Sequence, residues 1–427
     1  MILISGAELY DGRREDVFVR DGVFADPAEA PADVERIDAA GKVLLPGLVD
    51  IHVHLREPGR EDAETIATGT RAAARGGFTA VCAMANTNPV TDTAEAAAHV
   101  AAIAAREASC QVQPVGAITK GLAGAELAEL GLMAEADEHH PGLRMFSDDG
   151  KCVQDALVMR RALEYARRLD AVLAQHAQDS SLAGTGACCH EGPESGRLGL
   201  TGWPPAAESV IVARDVELAA LTGARYHVCH LTSAEGVAVV RAAKQRGVQV
   251  TAEVTPHHLY LGVERLADYD PVWKVNPPLR SAEHIAALRE ALIDGTIDCV
   301  ATDHAPHARH DKEHAFGDAA FGMLGLETAL AVVIDLFVDE GTLDWARVAE
   351  VMSFTPARIA RLADQGRPIA VGEPANLVLV DPKRRAVVDR DASASLSRNN
   401  PWHGLDLPDP VELTIWAGKP TYRREAS

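Results

Sequence analysis

The chain has 427 residues, 47% of them apolar, so it can bury a sizeable core without a disulfide or metal to hold it together. Its formal net charge of −21 argues against non-specific nucleic-acid binding, which needs a basic surface. The seven cysteines include no CxxC pair and read as reduced thiols, with the adjacent Cys188-Cys189 taken as packing. The N-terminal MILISGAELYDG has no basic stretch leading into a long apolar one, and no apolar run reaches ~18 residues. The expectation is a cytoplasmic protein that neither binds nucleic acid nor enters a membrane.

In chain order, the first segment reads as a β-meander, with Asp11-Gly12 and Asp21-Gly22 as turns between short apolar runs. The middle alternates apolar strands with Ala-rich helices such as 93–107 and 153–168. The strands fall at 44–52, 78–84, 112–118, 143–146, 172–176, 226–230, 248–254 and 299–303. Eight strand–helix units predict an α/β chain with a (β/α)8 barrel over 48–368. A doubly wound open sheet is the alternative, and no Gly-rich phosphate loop supports it. Residues 376–380 are again a strand, closed by Asp381-Pro382. Both ends are therefore β, and 1–47 with 369–427 are expected to build one small β-sandwich domain, since chain ends often lie close together.

His52 and His54 end the first strand of the middle region, two residues apart and so on one face, beside Asp50. Two imidazoles in register are costly as plain core and suit a metal. The same placement recurs: His176, His230 and Asp303 each close a predicted strand, and Asp148-Asp149 follow another. Strand C-terminal ends are where barrel active sites are built. Four histidines with two carboxylates form a nitrogen–oxygen ligand set suited to Zn²⁺, with Mn²⁺, Co²⁺ or Fe²⁺ as alternatives. Six groups exceed what one open catalytic Zn²⁺ uses, so two metals sharing a carboxylate and a bridging hydroxide are expected. Such a site hydrolyses an amide-like bond, or runs the reverse, with Asp303 as the best candidate for moving the proton. The pattern alone does not choose between Asp148 and Asp149.

Several runs carry a family resemblance. PGLVDIHVHLREPG (46–59), NTNP (86–89), FSDDG (146–150), KVNPPLR (274–280), TDHAPH (302–307) and FGMLGLET (321–328) together resemble the dihydroorotases of the bacterial class I type, within the amidohydrolase superfamily. HxH alone is only moderately specific, whereas the combination is highly so, and the likeness covers nearly the whole chain. It implies the reversible zinc-dependent cyclisation of N-carbamoyl-L-aspartate to (S)-dihydroorotate in pyrimidine biosynthesis. It also implies that His52, His54, Asp149 and Asp303 hold one zinc and Asp149, His176 and His230 the other. Arg56, Asn86, Asn276 and His307, with backbone groups of Phe321 and Gly322, are implied to bind substrate, beside His54. Asp303 is the implied general acid/base. As partners, the resemblance leaves open a homodimer or a complex with aspartate transcarbamoylase.

The residue chemistry agrees. Arg56 offers a planar donor fork for a carboxylate, two residues past His54 and on the same side. Turn formation is the bland role for Asn86 and Asn276, each near a proline. The wider resemblance to amidohydrolases, many of which bridge their metals with a carbamylated lysine, makes Lys151 the rival bridge, two places beyond Asp149. His227 competes with His230, and is otherwise a core residue. His257 and His258 read as packing, and His304 should point away from the site. The charged stretch 309–314, with His310 and His314, reads as a mobile surface loop near the substrate and a candidate lid. Two other readings compete: a hydantoinase, dihydropyrimidinase or allantoinase, and a non-catalytic partner of aspartate transcarbamoylase that has lost its metal ligands.

Overall fold

The computed structural model describes residues 1–136 and 142–425. The apolar run expected as one strand at 44–52 is two, Val43–Pro46 and Leu48–Val53, divided at Gly47. A Cβ on Gly47 would collide with the Thr79 side chain, so only glycine lets the chain pass here. The first half pairs with Leu377–Val380 near the other end of the chain, antiparallel. The second half, β1, pairs in parallel with β2 (Phe78–Ala83).

The parallel strands run on through β3 (Gln111–Pro114), β4 (Met145–Ser147), β5 (Val172–Gln175), β6 (Arg225–Val228), β7 (Val250–Val254) and β8 (Cys299–Val300). Strands β1 to β3 form one sheet and β4 to β8 another. Parallel bridges Gly116–Phe146 and Val53–His304 link the two sheets at both edges. Helices fill the connections, and their starts are legible locally. Thr93 caps Ala94–Glu107 through Ala96 N, and Asp155 caps Ala156–Arg168 through Leu157 N and Val158 N. Strand faces divide with period two: Ala80, Cys82, Val172, Ala174 and Ala301 form one apolar cluster, while Val81, Leu173 and Val300 pack with Ala97, Val100, Leu163 and Val216 of the helices.

Several strands stop short of their expected ends. His176, Asp149, His230 and Asp303 all lie just beyond the ladders. His230 and Asp303 have φ of +30° and +47°, a left-handed conformation that cannot continue a pleated strand. The chain leaves the ladder where it must turn a side chain across the rim.

The terminal segments form two larger sheets, one from N-terminal strands alone and one from strands of both ends. One holds Val23–Ala25, Val17–Arg20, Ile2–Ser5 and Glu35–Asp38; the other holds Glu8–Leu9, Val43–Pro46, Leu377–Val380, Val411–Trp416 and Lys419–Arg423. They share an apolar layer containing Ile2, Ile4, Val17, Leu377, Leu379 and Ile415. The segment around 395–399 instead lies against the parallel strands' loops. Leu396 N donates to Glu64 Oε1 at 3.0 Å, and Asn399 Nδ2 to the carbonyl of Ala305 at 2.9 Å. No helix among the described residues is long and apolar enough to cross a membrane.

Candidate active site

At the C-terminal ends of the parallel strands, four imidazoles and two carboxylates meet, all buried. Asp149 is the common point. Its Oδ1 lies 3.3 Å from His52 Nε2, 3.3 Å from His230 Nε2 and 3.7 Å from His176 Nδ1, while its Oδ2 lies 3.3 Å from His54 Nε2. Asp303 Oδ1 sits 3.0 Å from His54 Nε2 and 3.5 Å from His52 Nε2. Two of the groups whose ligand atoms lie close enough to hold an ion share Asp149: His52, His54 and Asp149, and Asp149, His176 and His230.

The neighbouring acid has another task. Asp148 accepts from the amides of Ile118 and Thr119 at 2.8 and 2.9 Å and from the Thr119 hydroxyl, so it clamps the loop after β3. Lys151 is exposed on the surface.

Outer partners set which nitrogen faces inward. His52 Nδ1 is 2.5 Å from Glu253 Oε1, His54 Nδ1 is 2.9 Å from Asn86 Oδ1, and His176 Nε2 is 2.7 Å from Gln178 Oε1. A neutral imidazole donating outward to these oxygens presents its lone pair inward. His176 Nδ1 faces His230 Nε2 across 3.0 Å, while His52 Nε2 and His230 Nδ1 are buried without a hydrogen-bond partner among the described residues. Converging lone pairs need a cation or protons between them, and the donor set fits divalent metal.

The electrostatics agree. Burial opposes a charged His52, yet Asp149, Glu253 and Asp303 hold its pKa well above 6.5. Burial would raise Asp149, but the charge of His52, with His176 and His230 beside it, holds it well below the usual carboxylate range. Asp303 is likewise lowered, by His52 and His54 against its burial. The pocket favours added positive charge.

At the rim, Arg56 has φ +62° and donates from Nε to the carbonyl of Pro306 at 3.0 Å. Its Nη2 is 3.4 Å from His307 Nε2. Burial, with Arg56 and Lys312 nearby, pushes the His307 pKa down to about 2, so the ring is neutral and donates to the Phe321 carbonyl at 2.6 Å. Gly322 N donates to the Lys274 carbonyl at 3.0 Å. Asn276 Nδ2 donates to Gln178 Oε1 at 3.0 Å, while its Oδ1 is buried and unpartnered among the described residues.

His227 sits one layer out, 3.1 Å from Glu253 Oε2. His304 turns away to Glu64, at 3.3 Å. His258 is held by Thr255 and the Pro277 carbonyl. His310 and His314 are exposed. The 309–314 stretch is nevertheless not all surface, as the lid expectation has it, because Lys312 is buried and its ammonium donates to two carbonyls.

Glu253, Gln178 and Asn399 escaped the sequence reading. Glu253 left one signal, an acid inside the apolar strand Val250–Val254. Asn399 comes from far along the chain, accepting from His307 N at 3.2 Å and donating to Gly322 O at 3.1 Å.

A family model described as dihydro-orotase-like matches residues 41–236. The dihydroorotase of Streptomyces coelicolor is 54% identical over 98% of this chain and 97% of its own length. The chain belongs to the dihydroorotase family. The dihydroorotase of Mycobacterium tuberculosis is also 54% identical, over 99% of this chain and 98% of its own. Among solved structures, a D-hydantoinase from Thermus sp. aligns with TM-score 0.81 at 25% identity, over 99% of this chain and 95% of that one. A dihydropyrimidinase from Brevibacillus agri aligns with TM-score 0.86 at 23% identity, over the same shares, a likeness of fold. The chain is thus a cyclic amidohydrolase of this family, with a metal centre implied by its kinship and by the buried His–Asp clusters.

Proposed function

We propose that the chain interconverts N-carbamoyl-L-aspartate and (S)-dihydroorotate plus water, a step of pyrimidine biosynthesis, in the cytoplasm. The observation that carries this reading is the joint presence of a carboxylate shared by two histidine groups and an arginine at the same rim. The cytoplasmic assignment rests on seven cysteines that are all free thiols. For the fold, we read the eight parallel strands, linked at both edges, as a closed (β/α)8 barrel over 48–368, with a β-sandwich from 1–47 and 369–427.

Two zinc ions are the proposed cofactors, one held by His52, His54, Asp149 and Asp303 and the other by Asp149, His176 and His230. When bound they supply Lewis acidity at the reacting carbonyl and make a nearby water acidic. The chain's own groups do the rest. Arg56 grips the substrate carboxylate through its planar fork, and Asn86, Asn276 and His307 with the Phe321–Gly322 backbone fix the ring. Asp303, reached by His54 at 3.0 Å, takes a proton from the attacking water and returns it to the departing ring nitrogen. In the cyclising direction the same carboxylate removes the ureido proton and releases it with the expelled water. Glu253 and Asn86 hold His52 and His54 in the tautomers this needs.

Purified protein tested against dihydroorotate, hydantoin and allantoin checks the reading. Turnover of dihydroorotate with about two divalent ions per chain is expected. Inert dihydroorotate beside hydrolysed hydantoin would sink it, and a metal-free, inactive preparation would favour a non-catalytic partner role.

A further inference from the structure

We propose that Lys312 is a positioning residue for the substrate site: its ammonium ties the 274–278 segment to the 320–322 segment, so that the two close on substrate as one unit. The proposal rests on the dihydroorotase reading above.

Lys312 comes from the charged stretch beyond β8, yet it is only 5% exposed. Both of its hydrogen-bond partners are backbone carbonyls, Lys274 O and Ala320 O, each at 2.8 Å. Those carbonyls belong to different loops. Lys274 leads into Asn276, and Ala320 into Phe321 and Gly322, three of the groups assigned to substrate. Three further contacts tighten the same junction. Gly322 N donates to Lys274 O at 3.0 Å, Lys274 Nζ donates to Gly317 O at 2.7 Å, and the same Nζ stands 4.3 Å over the Phe321 ring.

An ammonium buried against neutral carbonyls is an expensive way to join two loops. Its location explains why the chain retains it. Lys312 lines a small cavity with His307, Asn399, Asp270 and Glu313, and His307 in turn lies 3.4 Å from Arg56 Nη2, the group assigned to the substrate carboxylate. Burial and the charge of Lys274 push the Lys312 pKa down to about 7, against Asp270. Lys312 has no hydrogen bond to Asp303 or to the histidines at the metal site, so its loss should weaken binding rather than the chemical step.

Lys312→Met keeps the stem and removes the ammonium. Steady-state kinetics with dihydroorotate, at verified metal content, are expected to show KM raised at least about tenfold with kcat within about threefold of wild type. Lys312→Gln, a shorter neutral donor, should move KM in the same direction and serves if the methionine variant does not fold. Unchanged KM in a folded, metal-replete variant overturns the proposal, as does a fall in kcat at constant KM. Loss of a cooperative melting transition in both variants also overturns it, by making Lys312 a folding requirement. Wild-type protein inert toward dihydroorotate would instead bring down the underlying functional reading, and this proposal with it.

Discussion

Glu253 Oε1 lies 2.5 Å from His52 Nδ1, while Asp149 lies 3.3 Å from the other nitrogen of the same ring. The imidazole is therefore held between two carboxylates, one outer and one inner. The outer one also accepts from His230 N at 3.1 Å and pairs with His227. Glu253→Gln keeps the shape but removes the charge that holds the His52 proton on Nδ1. Metal affinity should fall by about 10- to 100-fold, with activity partly restored by excess metal. Competition with a graded series of chelators measures it.

Asp148 and Asp149 should separate cleanly in mutants. Asp149→Asn removes the carboxylate shared by both histidine groups, so metal analysis should find loss of bound ions and of turnover. Asp148→Asn should instead retain metal and lower thermal stability. It weakens a buried clamp on Ile118 and Thr119, at a cost of about 1–3 kcal/mol. Equal metal loss in both variants would contradict this division.

Asp303→Asn should reduce kcat by about 10²- to 10⁴-fold while leaving the circular dichroism spectrum and melting behaviour close to wild type. Retained turnover would move the proton-transfer role to another group.

Arg56→Met should chiefly raise KM for dihydroorotate, by about 10- to 100-fold, because a charge-assisted fork to the carboxylate is lost. Burial lowers the Arg56 pKa to about 10, so the guanidinium remains charged near neutrality. An unchanged KM would place the substrate carboxylate elsewhere.

Acid should strip the metal. In the metal-free fold the pKa of His52 is raised above 6.5, so its protonated form stabilises that fold below 6.5 and the contribution is lost as pH rises through the raised value. Asp149 is depressed below 3.8, so its contribution is present above 3.8 and lost as pH falls through the lowered value. Metal must displace the histidine protons, so its affinity should drop about tenfold per pH unit for each proton displaced. Metal retained after dialysis at graded pH reads this directly, and retention independent of pH between about 5 and 8 would refute it.

Much of the site was legible because barrel-type chemistry gathers at strand ends, and strand ends show in the local pattern. His52 and His54 announced themselves by spacing, and Asp303 by closing an apolar run. The strand lengths were less legible. The left-handed turns at His230 and Asp303 are imposed by the groups they must reach, and apolar runs carry no mark of them. Gly47 likewise read as the middle of a strand, because the clash with Thr79 that demands glycine is made by a different strand.

By itself the sequence placed the histidines and aspartates at strand ends and an arginine two residues past the first histidine pair, since each depends on neighbours along the chain. Only the tertiary structure decided which aspartate is shared, which carboxylate orients His52 and that Lys312 is buried rather than waving on a surface loop. Each of those rests on a partner from another strand or loop. A hydrogen bond between distant residues leaves no periodicity to read until the backbone has brought them together.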